Sequence, residues 1–251
     1  MLWANTSGRN HEHLYNANLQ YGSLVRIGPN HLLTNDAEII RRMNAPRSPY
    51  RRSKWYTTFR FKPRADNIIT VISEEKHEDL RKKMAAGYSG KEVPYLEEHI
   101  DHHIQEWLKL IRRKYVSSSH ETRPMDLARG AQFFTLDVIS DLAFSKPFGD
   151  LQADADVFGY IKATHDSAGV INALALFPAI HHWIERSRLF DLLAPKAKDK
   201  TGLGPVVGTV ERIVGERFDK PAQETKRDML DSFIRHGLER DQAVSEAVLQ
   251  V

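Results

Sequence analysis

His77 and Arg81 stand four residues apart in SEEKHEDLRKKM, a spacing that puts both on one face of a helix. Arginine offers a planar fork of donors that matches a carboxylate, and a histidine beside it adds another donor, so the pair can bind an anion. The competing reading is a solvated face on which these cations, with Lys82 and Lys83, pair with Glu74, Glu75, Glu78 and Asp79. His99 and His103 have the i, i+4 spacing used by helical zinc sites. EEHIDHH is not an HExxH motif, however, and only Asp101 or Glu98 stands nearby as a third ligand. A solvent-exposed polar face, including His102, is therefore expected there. His181 and His182 are neighbours, and neighbours on a helix point in different directions. Asp150, Asp154 and Asp156 in FGDLQADADVF hint at a calcium loop, but the glycine and glutamate that such a loop needs are missing. Asp154 or Asp156 is expected instead to cap the helix that follows. TGLGPVVG lacks the lysine and hydroxyl of a phosphate loop, and no GxSxG elbow occurs. Neither a catalytic residue nor a metal ligand is expected from these patterns.

Positioning such residues requires elements, and the sequence outlines them. Leu24 to Ile27 and His31 to Thr34 flank Gly28-Pro29-Asn30 and read as a β-hairpin. A short helix over 11–21, stopped by Gly22, precedes it, and Asn35-Asp36 can cap a helix over 37–43. Residues 44–70, rich in Arg, Pro and aromatics, show no period and read as a long irregular connection. From Ser73 the pattern is helical. One helix is capped at Ser73 and closes near Gly87; a second runs over 93–115 with Ile100, Ile104, Leu108 and Ile111 as its stripe. Met125 to Leu127 reads as a short extended piece. Helices follow over 131–144 (apolar on most sides), 158–177 (stopped by Pro178), 206–218 and 228–236, and a last one starts near Asp241 with its apolar pattern still running at Val251. The fold class is mainly α with a small N-terminal β-hairpin, without internal repeats.

Composition narrows the function classes. Hydrophobic residues at 41% and charged residues at 27% are ordinary for a globular chain and too apolar for a disordered one. Thirty-six cations against 33 anions give a net charge of +3, and the cations are scattered, so no nucleic-acid partner is expected. The absence of cysteine excludes disulfides, a thiolate nucleophile and thiolate ligation of a metal or haem by these residues. No apolar run reaches the length of a transmembrane segment, and MLWANTSGRNHEHL is not built like a signal peptide.

In order, these segments resemble the first half of a cytochrome P450, particularly the fungal microsomal, pisatin demethylase-like type. YGSLVRIGPNHLLTNDAEIIRRM resembles that family's opening of helix, strand ending in RIGPN, second strand and helix after ND. HEDLRKKMAAGYS is similar to its C helix, where His or Trp precedes Arg by four residues. FFTLDVISDLAFSKPFGDL resembles the E helix and the turn after it, and DQAVSEAVLQV is similar to the approach to the long I helix.

The resemblance implies a partial cytochrome P450 fold, helices A to the start of I. Residues 1–251 would be the N-terminal part of a single domain that stops before the I-helix acid–threonine pair, the ExxR motif and the cysteine loop. It implies that His77 and Arg81 bind haem through its propionates, and that residues in 47–70 and 158–177 line a substrate cavity. An intact parent would insert an oxygen atom into a hydrophobic small molecule of secondary metabolism. It would take electrons from NADPH-cytochrome P450 reductase at the endoplasmic reticulum membrane, although this chain carries no anchor segment. The axial thiolate that drives this chemistry has no source in a chain without cysteine, so the chain alone is expected to be inactive. The alternative from another class is a non-catalytic helical binding module, a pseudoenzyme that keeps a hydrophobic cleft without haem.

Overall fold

The computed structural model describes residues 8–60, 62, 65–177, 180, 181, 183, 184, 187, 199, 204–219 and 227–250. Helix α1 (Asn10–Tyr21) ends at Gly22, whose φ of 96° is one that side chains resist. Strands β1 (Leu24–Gly28) and β2 (His31–Thr34) pair antiparallel with Val25 opposite Leu33. Asp36 then accepts the Glu38 and Ile39 amides and starts α2 (Ala37–Met43). Val25 is the only buried residue among these four elements, and Tyr15, Leu19, Leu24, Leu32 and Ile40 are exposed.

The connection expected to be irregular contains two ordered pieces. A 3-10 turn, Lys54–Phe59, begins where Ser53 accepts the Trp55 amide. Farther on, Asn67 and Thr70 knit a tight turn: the Asn67 side chain accepts the Ile69 and Thr70 amides, and the Thr70 hydroxyl accepts the Asn67 amide. Local side-chain bonds of this kind leave no hydrophobic period in the sequence.

Seven helices carry most of the packing among the described residues: α3 (Glu74–Tyr88), α4 (Leu96–Leu110), α5 (Leu127–Phe144), α7 (Tyr160–Ala175), α8 (Gly204–Asp219), α9 (Met229–Arg235) and α10 (Arg240–Gln250), with the single turn α6 (Asp150–Ala153) between α5 and α7. The main core joins Leu80 and Met84 of α3, Phe144 of α5, Val207, Val210 and Val214 of α8, Leu230 and Phe233 of α9, and Val244 and Ala247 of α10. Helices α3 and α9 meet at Gly87, where a Cβ would stand 2.6 Å from the Phe233 ring. The mainly α architecture with one small antiparallel pair is as expected.

Three expectations need correction. The extended piece expected over Met125 to Leu127 ends one residue early: Asp126 is extended and caps α5 by accepting the Arg129 amide, so the helix begins at Leu127, four residues before its apolar pattern does. In α4 the stripe of Ile104 and Leu108 is exposed, and the helix instead buries His103 and Leu110, with Trp107 stacked on Phe134 at 5.3 Å. The helix ends in a wide turn, Ile111–Tyr115. His99 and His103 do not form a solvent-exposed polar face: both bond the same Asp141 oxygen on α5, at 2.8 and 3.1 Å, and His103 is buried. His102 alone of the three is exposed.

Candidate functional site

Helix α3 positions the first candidates. Ser73 caps it by accepting the Lys76 amide, and Glu74 and Glu75 in its first turn suit the positive end of the helix dipole. Leu80, Met84 and Gly87 face the core. Lys82 pairs with Glu78 at 3.0 Å and Lys83 with Asp79 at 2.9 Å, both at i, i+4. The solvated-face reading thus accounts for the two lysines. It does not account for His77 and Arg81, which share a face beside the buried stripe and pair with no carboxylate among the described residues.

Their partner comes from the long connection. Arg52 donates through Nη2 to His77 Nε2 at 2.9 Å and through Nη1 to the carbonyls of Ile68 at 2.9 Å and Ile69 at 3.4 Å. Its guanidinium also lies over the Tyr56 ring, 5.8 Å from the centroid. Burial lowers the His77 pKa; the Arg52 charge lowers it further, Glu74 opposes this, and Arg81 adds to it. The imidazole is therefore neutral at neutral pH. With Nε2 accepting from Arg52, the ring proton sits on Nδ1, where it can donate. Two guanidiniums and one imidazole N–H thus stand near one another with Glu74 as the opposing charge acting on His77 and no carboxylate bonded to them among the described residues, a donor set that can receive an anion.

A cleft of about 250 Å³ lies between α7, the 3-10 turn and α10, lined by Phe59, Tyr160, Thr164, Ala168, Ile171 and Val248. Two of the segments expected to line a cavity therefore meet in one. Val248 of α10 joins them.

The remaining candidates are structural. Asp154 accepts from Tyr115 at 2.7 Å and also pairs with Lys114, while Asp156 accepts the Lys162 amide of α7 at 3.0 Å. Neither expected residue occupies the cap position of α7, which is Gly159, though Asp156 bonds a first-turn amide from just outside it. Asp150 is buried, accepts the Val157 amide, and is pushed up to about 6 by burial. The α6 turn is capped from outside by Asp137 of α5, whose carboxylate accepts the Gly149, Asp150 and Leu151 amides. His181 is buried, and His182 lies outside the described residues, as do the first three residues of TGLGPVVG. Among the described residues no group of three His, Cys, Asp or Glu is arranged to hold a metal ion.

Sequence reasoning missed Arg52 and Glu246. Arg52 stands in a run of cations with nothing to single it out, and only the tertiary fold brings it to His77, 25 residues away. Glu246 occupies a fully buried position in α10, where a lone carboxyl is uncommon.

Comparison with known proteins places this arrangement in context. The family model described as cytochrome P450 matches residues 1–248. Cytochrome P450 monooxygenase ABA1 of Pyricularia oryzae is 38% identical over 232 residues, which cover 91% of this chain and 45% of that protein. Cytochrome P450 monooxygenase aba1 of Botryotinia fuckeliana is 37% identical over 234 residues, 92% of this chain and 46% of that protein. Cytochrome P450 monooxygenase abl1 of Leptosphaeria maculans is 32% identical over 231 residues, 91% of this chain and 40% of that protein. The chain spans less than half the length of these relatives.

Proposed function

The chain belongs to the cytochrome P450 family, and from that premise we propose that it is the N-terminal part of a haem-thiolate monooxygenase domain. On this proposal it receives the haem propionates and walls the substrate cavity. The observation that carries the proposal is the cluster of Arg52, His77 and Arg81, with no carboxylate paired to it among the described residues. Two propionates would balance the positive charge that Glu74 leaves uncompensated. The exposed Arg81 guanidinium would hold one carboxylate, and His77 Nδ1–H would donate beside it. Arg52, already bonded to His77 and the Ile68 carbonyl, orients the imidazole.

Haem, when bound, supplies the iron at which dioxygen is activated. The sequence contains no cysteine, so the axial thiolate comes from outside these 251 residues and the chain by itself is inactive. The cleft between α7, the 3-10 turn and α10 takes a hydrophobic small molecule. Its walls are mostly apolar, with Thr164, Ser167 and Asn172 as the few polar contacts that fix orientation. Family membership supports NADPH-cytochrome P450 reductase as the electron donor and the endoplasmic reticulum membrane as the place of action. No described helix is long and apolar enough to cross a membrane.

Titrating the purified chain with protoporphyrin IX and with its dimethyl ester tests the proposal. The free diacid is expected to bind at least about tenfold more tightly, the worth of one charge-assisted hydrogen bond. Equal affinities overturn the propionate assignment. NADPH-dependent oxidation by the chain supplied only with haem and reductase overturns the claim that it is inactive alone.

A further inference from the structure

Glu246 lies on α10 with no exposed surface, among the apolar residues Ala243, Val244, Ala247 and Val248. Its Oε1 accepts the backbone N–H of Ile68 at 2.6 Å, a bond that spans 178 residues of sequence. Its Oε2 is buried and has no hydrogen-bond partner among the described residues. A carboxyl so placed is costly to bury, and the protein retains it at a contact between α10 and the long connection.

That contact reaches further than one bond. Ile68 belongs to the tight turn held together by hydrogen bonds between the amides and side chains of Asn67, Ile69 and Thr70. From this unit bonds lead outward to the site on two sides. The Ile68 carbonyl accepts from Arg52, which bonds His77. The Asn67 side-chain Nδ2 donates to the Phe59 carbonyl at 3.2 Å, and Phe59 walls the cleft. We propose that Glu246 is a positioning residue: its carboxyl fastens the 67–70 turn to α10 and so fixes Arg52 and His77 on one side and Phe59 on the other. The assignment of a ligand to the Arg52–His77 cluster rests on the proposed haem function; the latch itself does not.

The latch is sensitive to pH. Burial pushes the Glu246 carboxyl up to about 7, against the opposing pull of the Ile68 amide. The titratable group that senses it is Tyr88 of α3, whose phenol is raised by burial and by the Glu246 charge despite a hydrogen bond from Gln250. The charged groups on the helices packed against α10 have other partners. On α8, Glu211 meets Lys62, Arg212 meets Glu216, Arg217 meets Asp228 and Asp219 meets Arg240. On α9, Asp231 pairs with Arg235. On α5, Asp137 and Asp141 are engaged as described, and Arg129 lies over the Phe133 ring. On α10 itself Asp241 bonds Lys62.

Held against Ile68, the carboxyl ionises near 7; once the turn opens to water it ionises near its ordinary 4.5. The open form therefore gains on the closed form by up to about tenfold per pH unit between those values and gains nothing more above them. Glutamine keeps an acceptor oxygen for the Ile68 amide but cannot ionise.

Amide hydrogen exchange of the 251-residue chain, corrected for intrinsic rates, reads this directly. Protection of the Ile68 amide is expected to fall about fortyfold from about pH 5 to about pH 7 and to level off above that, while Glu246→Gln holds it constant. Constant protection in the unsubstituted chain, or a Glu246→Gln variant that follows it, overturns the latch. The unsubstituted chain gives an answer even where the variant does not fold. Because no porphyrin is present, failure of the diacid titration leaves this result intact, and the two proposals fail separately.

Discussion

Nη2 of Arg52 stands 2.9 Å from Nε2 of His77, so a guanidinium from the long connection donates to a neutral imidazole on α3. Protonating that ring would remove the acceptor and set two cations against each other. That contact is what the solvated-face reading of α3 leaves unexplained.

The His77 pKa, followed by the NMR shifts of its imidazole, is expected to lie below its ordinary 6.5. Burial comes first among the causes and Arg52 second. Arg52→Gln should therefore raise it without restoring it fully. The folded ring binds protons less readily than the unfolded one, so stability from this contact is present above 6.5 and declines as pH falls below it. A value at or above 6.5 in the unsubstituted chain would contradict the geometry.

Arg81 is exposed and pairs with no carboxylate among the described residues. Arg81→Leu is expected to change unfolding free energy by less than about 0.5 kcal/mol while weakening protoporphyrin IX binding about tenfold. Urea denaturation and fluorescence titration of the same sample separate the two. Loss of stability without loss of affinity would mark Arg81 as structural.

Asp228 is buried at the start of α9, where it caps the helix and accepts from Arg217 and Ser145; Arg217 also donates to the last carbonyl of α5. Arg217→Leu leaves that carboxylate buried without its cation, at an expected cost of about 3 kcal/mol. Arg235→Leu, which breaks exposed contacts to Asp231 and Glu92, should cost under about 1 kcal/mol. The difference between their urea midpoints checks this ranking.

At Asp141 burial acts to raise the pKa, but the hydrogen bonds and charges of His103 and His99 outweigh it and hold the carboxyl below its ordinary 3.8. A lowered carboxyl contributes stability that is present above that ordinary value and lost as pH falls through the folded one. Asp141→Asn should be less stable than the unsubstituted chain at neutral pH and lose less on acidification. Parallel acid-denaturation curves would show that the clamp does not depend on charge.

Much of the fold was legible because it is written in local chemistry. Gly22, Asp36 and Ser73 stop or start helices with their own side chains or lack of one, and each boundary falls where the sequence puts it. The α4 stripe misled because Ile104 and Leu108 have the right spacing and the wrong neighbours, while the Asp141 carboxylate on α5 draws His103 inward. At the site, His77 and Arg81 could be paired by spacing and by resemblance. Arg52 and Glu246 could not, because their significance lies in bonds to residues 25 and 178 positions away.

Gly87 and Phe233 touch so closely that α3 and α9 have no room to slide past one another. On the proposed haem assignment, a random mutagenesis screen scored by loss of porphyrin colour would therefore return hits at Phe233 and Met229, which lie in the core away from the α3 cations. Mapped naively, such hits would draw a second binding site on α9. They would instead trace the foundation on which the cations of α3 stand.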